Sequence, residues 1–319
     1  MRITLFGGGS DYPSYFKNRR GFCISAAISK YSFCTFRSLA KIDEYKYRIC
    51  YKQTELVNDL RDIKQPVVKA ALTSEAFDQD RLEIHYFSDL PSSSGLGSSS
   101  AFACGLLGGL KLFRDESFTN AQLASSAWEL EANIMGETVG VQDQYSCALG
   151  GVISLEMSQN GVFASQFPHD EFFEKLQNSL ILVYTGKTRF SQDVIKSQSD
   201  VLSGVAETDY VGKVVSLADD AMKLISKRTG VEEIGTMLSE AWKLKRNFGS
   251  DVSSAFLDEM YEAIMKQGAS GAKLIGAGGG GFFLVSASKM VQHKLAERFG
   301  KSAVVNVEFS HTGFEHTVL

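Results

Sequence analysis

The chain alternates between two kinds of patterning. Segments 2–6, 22–28, 31–37, 45–51 and 82–87 place apolar residues largely at every second position, which predicts half-buried strands. Segment 65–77 reads as a helix. Segment 98–113 is apolar almost throughout and predicts a buried one. Segment 119–135 predicts a third helix: Thr119 and Gln122 have capping-box spacing, and Gly136 is a natural stop. A short strand, 152–156, follows Gly150-Gly151. The second half opens near 167–176 and has a strand at 180–184. Amphipathic helices follow at 192–201, 213–228, 231–248 and 253–266. Two strands flank a glycine-rich loop at 276–281, then come a helix at 289–299 and a strand at 303–309. This mixed order predicts an α+β class rather than a doubly wound parallel sheet.

Length and charge narrow the function classes. The 319 residues allow two domains, 1–165 and 166–319, and the 44% apolar content is enough to fill real cores. Thirty-three basic and 37 acidic side chains give a net charge of −4 without a basic run, which argues against nucleic acid and anionic membrane as partners. No leader or apolar run of membrane length is present. The five cysteines (Cys23, Cys34, Cys50, Cys104, Cys147) lack metal spacing and sit mostly among apolar residues. They read as reduced core thiols of a cytoplasmic protein. The five histidines show no ligand pairing. A small-molecule substrate is therefore expected, and a homodimer is left open.

The most informative string is Pro91-Ser-Ser-Ser-Gly95-Leu-Gly97-Ser98-Ser99-Ser100-Ala101. Two glycines let amide groups turn inward around an anion, and the serines open the apolar helix, whose N-terminal N–H groups favour phosphate. A plain Ser/Gly turn is the alternative, but linkers do not run straight into so apolar a helix. Other nucleotide motifs fail on context. Gly186-Lys187-Thr188 has Ile181 where a Walker A loop needs its first glycine. Ser100 replaces the third glycine of a dinucleotide fingerprint. Gly276 to Gly281 fits that fingerprint by letter but runs into a strand pattern, Phe282-Phe-Leu-Val285, instead of a helix.

Three blocks in order resemble the GHMP kinases, the family of galactokinase, homoserine kinase and mevalonate kinase. They are Arg2-Ile-Thr-Leu-Phe-Gly7-Gly8-Gly9-Ser10-Asp11-Tyr12, the serine loop, and Lys273-Leu-Ile-Gly276-Ala-Gly278-Gly279-Gly-Gly281-Phe282. The resemblance implies an N-terminal domain like ribosomal protein S5, a ferredoxin-like C-terminal domain, and an active site in the cleft between them. It implies ATP as donor, held by Pro91, Ser94, Gly95, Leu96, Gly97, Ser98, Ser99 and Ser100, with Mg²⁺. Glu131 borders the apolar stripe Leu123, Ala127, Leu130, Ile134, but by pattern alone it reads as an ordinary solvated glutamate. The stretch from Glu131 to Gln144 resembles the galactokinase-like segment that carries the Mg²⁺-binding glutamate and the catalytic aspartate. On that match Glu131 binds Mg²⁺ with the hydroxyl of Ser98 or Ser99. Asp143 accepts or orients the acceptor proton, Arg2 is the cation beside it, and Asp11 is a sugar-hydroxyl ligand. The family usually has several residues, including a proline, before that arginine. Here Met1 is adjacent, so a catalytic Arg2 is expected to fray, or the start to be truncated.

Gly8-Gly9 stand where galactokinases carry a Glu-His pair, which disfavours galactose. The combination of residues 7–13, Ile28-Ser-Lys30-Tyr31, Val141-Gln142-Asp143-Gln144-Tyr145 and Tyr184-Thr-Gly186-Lys187-Thr-Arg189 resembles members acting on D-glycero-D-manno-heptose 7-phosphate. That likeness implies phosphorylation of the anomeric hydroxyl to the 1,7-bisphosphate, for GDP-heptose and surface polysaccharide. Substrate contacts are then expected from Gly8, Gly9, Ser10, Asp11, Lys30, Gln142, Gly278 and Gly279. Lys187 and Arg189 would meet the distal phosphate, Arg189 as a bidentate partner; Arg20 is a weaker candidate. An L-fucose-type anomeric kinase and a catalytically silent sugar or ATP sensor on the same fold are the alternatives. A mevalonate- or homoserine-type kinase is disfavoured by Gln144-Tyr145.

Overall fold

The computed structural model describes residues 1–78, 81–91, 94–188 and 191–318. The first half runs β1 (Arg2–Phe6), α1 (Pro13–Phe16), β2 (Gly21–Ala27), β3 (Ser32–Ser38), β4 (Tyr47–Cys50), β5 (Thr54–Val57), α2 (Pro66–Ser74), β6 (Leu82–Ser88), α3 (Ser98–Phe113), α4 (Asn120–Glu129), α5 (Gln142–Leu149), β7 (Val152–Ser158) and β8 (Gly161–Phe167). The second runs α6 (Glu171–Ser179), β9 (Leu180–Tyr184), α7 (Ser191–Lys196), α8 (Ser199–Leu202), α9 (Tyr210–Lys227), α10 (Val231–Lys245), α11 (Ala255–Lys266), β10 (Gly271–Leu274), β11 (Phe282–Ser286), α12 (Lys289–Phe299) and β12 (Val304–Asn306).

The strands form three sheets, ordered β1-β2-β7-β8, β3-β6-β4-β5 and β10-β11-β9-β12. The first is antiparallel throughout. Every residue of β1 and β2 is buried, because α5 packs on this sheet from the first half and α9 and α10 pack on it from the second. The second sheet holds the parallel pair β4–β6 and packs on α3, with Tyr86 and Phe102 ring centroids 4.0 Å apart. In the third sheet the chain order is β9, β10, β11, β12 and every neighbour is antiparallel. That is the ferredoxin-like split βαβ arrangement, with α12 as the second crossover helix. The class is therefore α+β.

One core joins the halves. Ile3, Leu5 and Ile24 share a hydrophobic cluster with Leu182, Trp242 and Phe283, all fully buried. A separate cluster under the second sheet holds Tyr47, Ile49, Ile84, Phe102 and Leu123. Residue 165, the expected end of the first domain, lies inside β8. The tail after β12 returns to the first half: Ser310 N–H donates to Ala27 O (2.9 Å) and Phe314 N–H to Ala148 O (3.0 Å). Among the described residues no helix is long and apolar enough to cross a membrane.

The differences from the sequence reading are local. The capping box at Thr119 is present, but the helix expected over 119–135 stops being α-helical at Glu129 and widens into a π-helical turn, Leu130–Ile134. The helix expected over 192–201 divides into α7 and α8. β5 and β8 carried no usable alternation; β5 is a short edge strand, and most of β8 faces solvent.

Candidate active site

A cavity of about 300 Å³ opens where the two halves meet. Its first wall comes from β1 and the loop after it (Arg2, Thr4, Gly8, Gly9, Asp11). Its second comes from Gly95, Gly97 and the first turn of α3, and its third from Glu131, Gln142 and Asp143. The fourth comes from the second half, through Ala241, Lys245, Phe248, Ile275 and Gly276.

The serine loop forms an anion cradle. Gly97 is the N-cap of α3 at φ 70°, a left-handed backbone that glycine adopts without penalty. Ser98, Ser99 and Ser100 occupy the first turn and line the cavity beside uncapped N–H groups, where the helix dipole favours negative charge. Gly95 and Gly276 meet backbone to backbone: an added Cβ on Gly276 would lie 2.6 Å from Gly95 Cα. The two glycine-rich loops therefore pack as one surface. Leu96 is buried in the core rather than in the cavity, and Ser94 is fully buried with its hydroxyl unpartnered. Pro91 is exposed and is not among the lining residues.

Glu131 sits on the π-helical turn, a distortion that often marks functional sites. Its carboxyl is 1% exposed and accepts from Ser99 Oγ (2.5 Å), Ser100 Oγ (2.9 Å) and Gln144 Nε2 (2.7 Å). Burial raises its pKa, and the three hydrogen bonds oppose that rise. A buried carboxylate beside serine hydroxyls, next to a phosphate cradle, is a hard oxygen donor set that fits a phosphate-bound Mg²⁺.

Asp143 opens α5 and receives Arg2 in a two-pronged pair, Nε to Oδ1 at 2.7 Å and Nη2 to Oδ2 at 2.5 Å. The third guanidinium nitrogen, Nη1, donates to Gly95 O at 2.6 Å. Such a fork fixes orientation as well as charge. Arg2 is 4% exposed, and its backbone N–H donates to Leu96 O. The terminus does not fray as expected: Met1 is buried and its ammonium donates to Lys30 O at 2.6 Å.

Asp11 is 2% exposed and accepts Gly9 N–H at 2.9 Å; its carboxyl also faces the Gln142 N–H at 3.4 Å. Gln142 itself accepts from Thr4 Oγ1 at 3.1 Å. Five expected substrate contacts lie elsewhere. Ser10 turns its hydroxyl inward to Gly7 O and Phe22 O, closing its own loop. Lys30 is not among the lining residues and serves through its backbone carbonyl. Gly278 and Gly279 pack on Val252 instead. Lys187 is exposed, with its ammonium 4.2 Å from the Phe256 ring centroid. Arg189 lies outside the described residues. Arg20 is exposed and paired with Glu156 and Asp219.

The sequence reading missed two lysines. Lys273 is buried, lines the cavity and donates to Leu5 O at 2.9 Å. Lys245 also lines the cavity and donates to Gly276 O. The signal for Lys245 was present: it stands three residues after Trp242 and four after Ala241, on the buried stripe of α10.

Burial and the neighbouring Asp143 raise the Asp11 pKa to about 6. The folded carboxyl then binds its proton more tightly than the unfolded one. Its contribution to stability is complete below about pH 4 and is lost as pH rises through about 6. Through this group alone, stability should fall by up to about 3 kcal/mol across that window. Urea melts at about pH 4, 6 and 8 test this. Asp11→Asn should remove the slope; an unchanged slope in the variant would place its origin elsewhere.

The family model of the GHMP kinases N terminal domain matches residues 65–151, and that of the GHMP kinases C terminal domain matches residues 221–305, together more than half of the chain. The chain is 26% identical over 324 residues to the D-glycero-alpha-D-manno-heptose 7-phosphate kinase of Campylobacter jejuni, covering 98% of this chain and 95% of that protein. It is 26% identical over 344 residues to the bifunctional fucokinase/GDP-fucose pyrophosphorylase of Arabidopsis thaliana, covering 97% of this chain and 31% of that protein. Among solved structures, a D-glycero-D-manno-heptose 1-phosphate kinase from Bacteroides thetaiotaomicron has the same fold, with a TM-score of 0.77 at 22% identity over 100% of this chain and 98% of that one. The galactokinase of Lactococcus lactis complexed with galactose has a TM-score of 0.74 at 16% identity over 100% and 93%. With both domain models in order and one shared fold along its length, the chain belongs to the GHMP kinases, phosphotransferases that take ATP as donor and an alcohol group as acceptor.

Proposed function

We propose that the protein transfers the γ-phosphoryl group of ATP to the anomeric hydroxyl of D-glycero-D-manno-heptose 7-phosphate, giving the 1,7-bisphosphate on a GDP-heptose route to surface polysaccharide. The observation that carries the phosphotransfer reading is the Arg2–Asp143 fork set against the serine cradle. The choice of acceptor is supported by near full-length similarity to the Campylobacter enzyme.

In this reading Asp143 faces the acceptor hydroxyl and takes or orients its proton. An anomeric hydroxyl is more acidic than an ordinary alcohol, so a carboxylate is an adequate base. Arg2 stabilises charge on the group in transfer, Asp11 and Gln142 hold sugar hydroxyls, and α3 holds the phosphates through its first turn. Glu131 and Ser99 would hold Mg²⁺, which neutralises phosphate charge when bound. Asp11 and Asp143 line the same cavity, and in this reading both carboxylates serve one acceptor.

A second reading is a free-sugar anomeric kinase. It is favoured by Lys187, whose ammonium rests on Phe256 and not in the cavity, and by the similarity to the plant fucokinase. ATP consumption with D-glycero-D-manno-heptose 7-phosphate, sedoheptulose 7-phosphate, mannose 6-phosphate, mannose, L-fucose and galactose separates the two. Turnover confined to the aldoheptose phosphate is expected. Turnover on free L-fucose or mannose instead would replace the first reading with the second. No turnover on any of them, alongside ATP binding, would favour a sensor.

A further inference from the structure

Arg2 and Lys245 approach the junction of the two glycine loops from opposite halves of the molecule. Arg2 Nη1 donates to Gly95 O, and Lys245 Nζ donates to Gly276 O, while Gly95 and Gly276 are in backbone contact. The two cations therefore stand side by side at the mouth of the phosphate cradle. Their situations differ. Arg2 has its other two nitrogens committed to Asp143. Lys245 has only a neutral carbonyl as partner and forms no ion pair among the described residues. An ammonium in a cavity with two unused donors is poised to take an anionic ligand.

We propose that Lys245 binds the γ-phosphate of ATP, so that the second half of the molecule contributes a cation to the group being transferred. The proposal rests on the phosphotransfer reading of the cavity but not on the identity of the acceptor. Position decides which phosphate is meant. From the end of α10 the Lys245 ammonium reaches Gly276 O, on the loop that touches Gly95 two residues before the α3 cap, which sets it toward the donor phosphates and not the distal end of a sugar phosphate. The charged groups that act on it are Arg2, Asp11 and Asp143 from the first half and Lys273 on β10. Burial, with Arg2 adding to it, lowers the Lys245 pKa to about 8. A bound phosphate would restore the charge by pairing with it.

The test measures calorimetric Kd values for Mg²⁺-AMP-PNP and Mg²⁺-ADP in the wild type, Lys245→Met and Lys245→Arg, and needs no acceptor. The preference for the triphosphate analogue over ADP is expected to fall about tenfold in Lys245→Met and to persist in Lys245→Arg, with ADP affinity nearly unchanged. At about pH 9.5 the wild type should lose part of that preference while Lys245→Arg keeps it. An unchanged preference in Lys245→Met overturns the proposal. So does an equal weakening of both nucleotides, which would make Lys245 a structural support of the loops. A change confined to the acceptor KM in the kinase assay would move Lys245 to the sugar side and likewise overturn it. Absence of turnover with every sugar would count against the proposed acceptor and leave the nucleotide result to stand on its own.

Discussion

Asp143→Asn is expected to lower kcat by about a thousandfold, within the range for loss of a positioned acid–base group, while substrate KM changes little. Both Asp143 oxygens accept from Arg2, and the side chain is 25% exposed toward the cavity. An asparagine can keep one acceptor for Nε but sets an amide NH₂ against Nη2, donor facing donor. The acceptor proton loses its destination, and Arg2 loses half of its fork. The donor site should survive, because Gly95 O still holds Nη1 and the α3 turn is untouched. Steady-state kinetics with nucleotide-analogue binding check this. A kcat within threefold or so of the wild type would remove Asp143 from the transfer step.

Gly276→Ala is expected to lower kcat/KM for ATP by about a hundredfold, the scale of effect that follows a displacement of ~1 Å at a reacting site. The new Cβ would lie 2.6 Å from Gly95 Cα, a backbone atom that no side-chain rotation can move. The two loops must separate. Both cation anchors move with them, since Arg2 is held by Gly95 O and Lys245 by Gly276 O. Backbone strain alone does not produce this outcome. Gly276 has φ 78° and Gly300 has φ 94°, but nothing lies within 4 Å of a Cβ added at Gly300. Gly300→Ala, at φ 94° and ψ 139°, is therefore the control for backbone strain without a clash, with a stability loss of about 1–3 kcal/mol and full activity. Equal activity in the two alanine variants would show that the loop contact does not matter.

What could be read from the sequence follows from how local each feature is. The α3 helix was legible over its whole length, because a serine-to-apolar transition is a local signal. The glycine loop before β11 was placed correctly for the same reason. The ferredoxin-like sheet order came only from the family likeness, since pairing β9 between β11 and β12 is a long-range event. Glu131 was ambiguous in the pattern because its burial depends on a π turn, and no periodicity rule anticipates an extra residue in a helical turn. Ser10 was assigned outward and turns inward because the Phe22 backbone, twelve residues away, offers it a partner. Arg2 was expected to fray, yet tertiary contacts with Leu96, Gly95 and Asp143 hold it. Lys245 is one of several charges on an amphipathic helix, and only its spacing from Ala241 and Trp242 sets it on the buried stripe.

We propose that this cleft moves a phosphoryl group from ATP to the anomeric oxygen of a heptose 7-phosphate. The measurement that bears on it most directly is ³¹P and ¹H NMR of the product formed from ATP and D-glycero-D-manno-heptose 7-phosphate. A second phosphorus signal coupled to the anomeric proton is expected, with loss of that product in Asp143→Asn. A product phosphorylated at another hydroxyl, or an unchanged heptose 7-phosphate beside a phosphorylated free sugar, would contradict it.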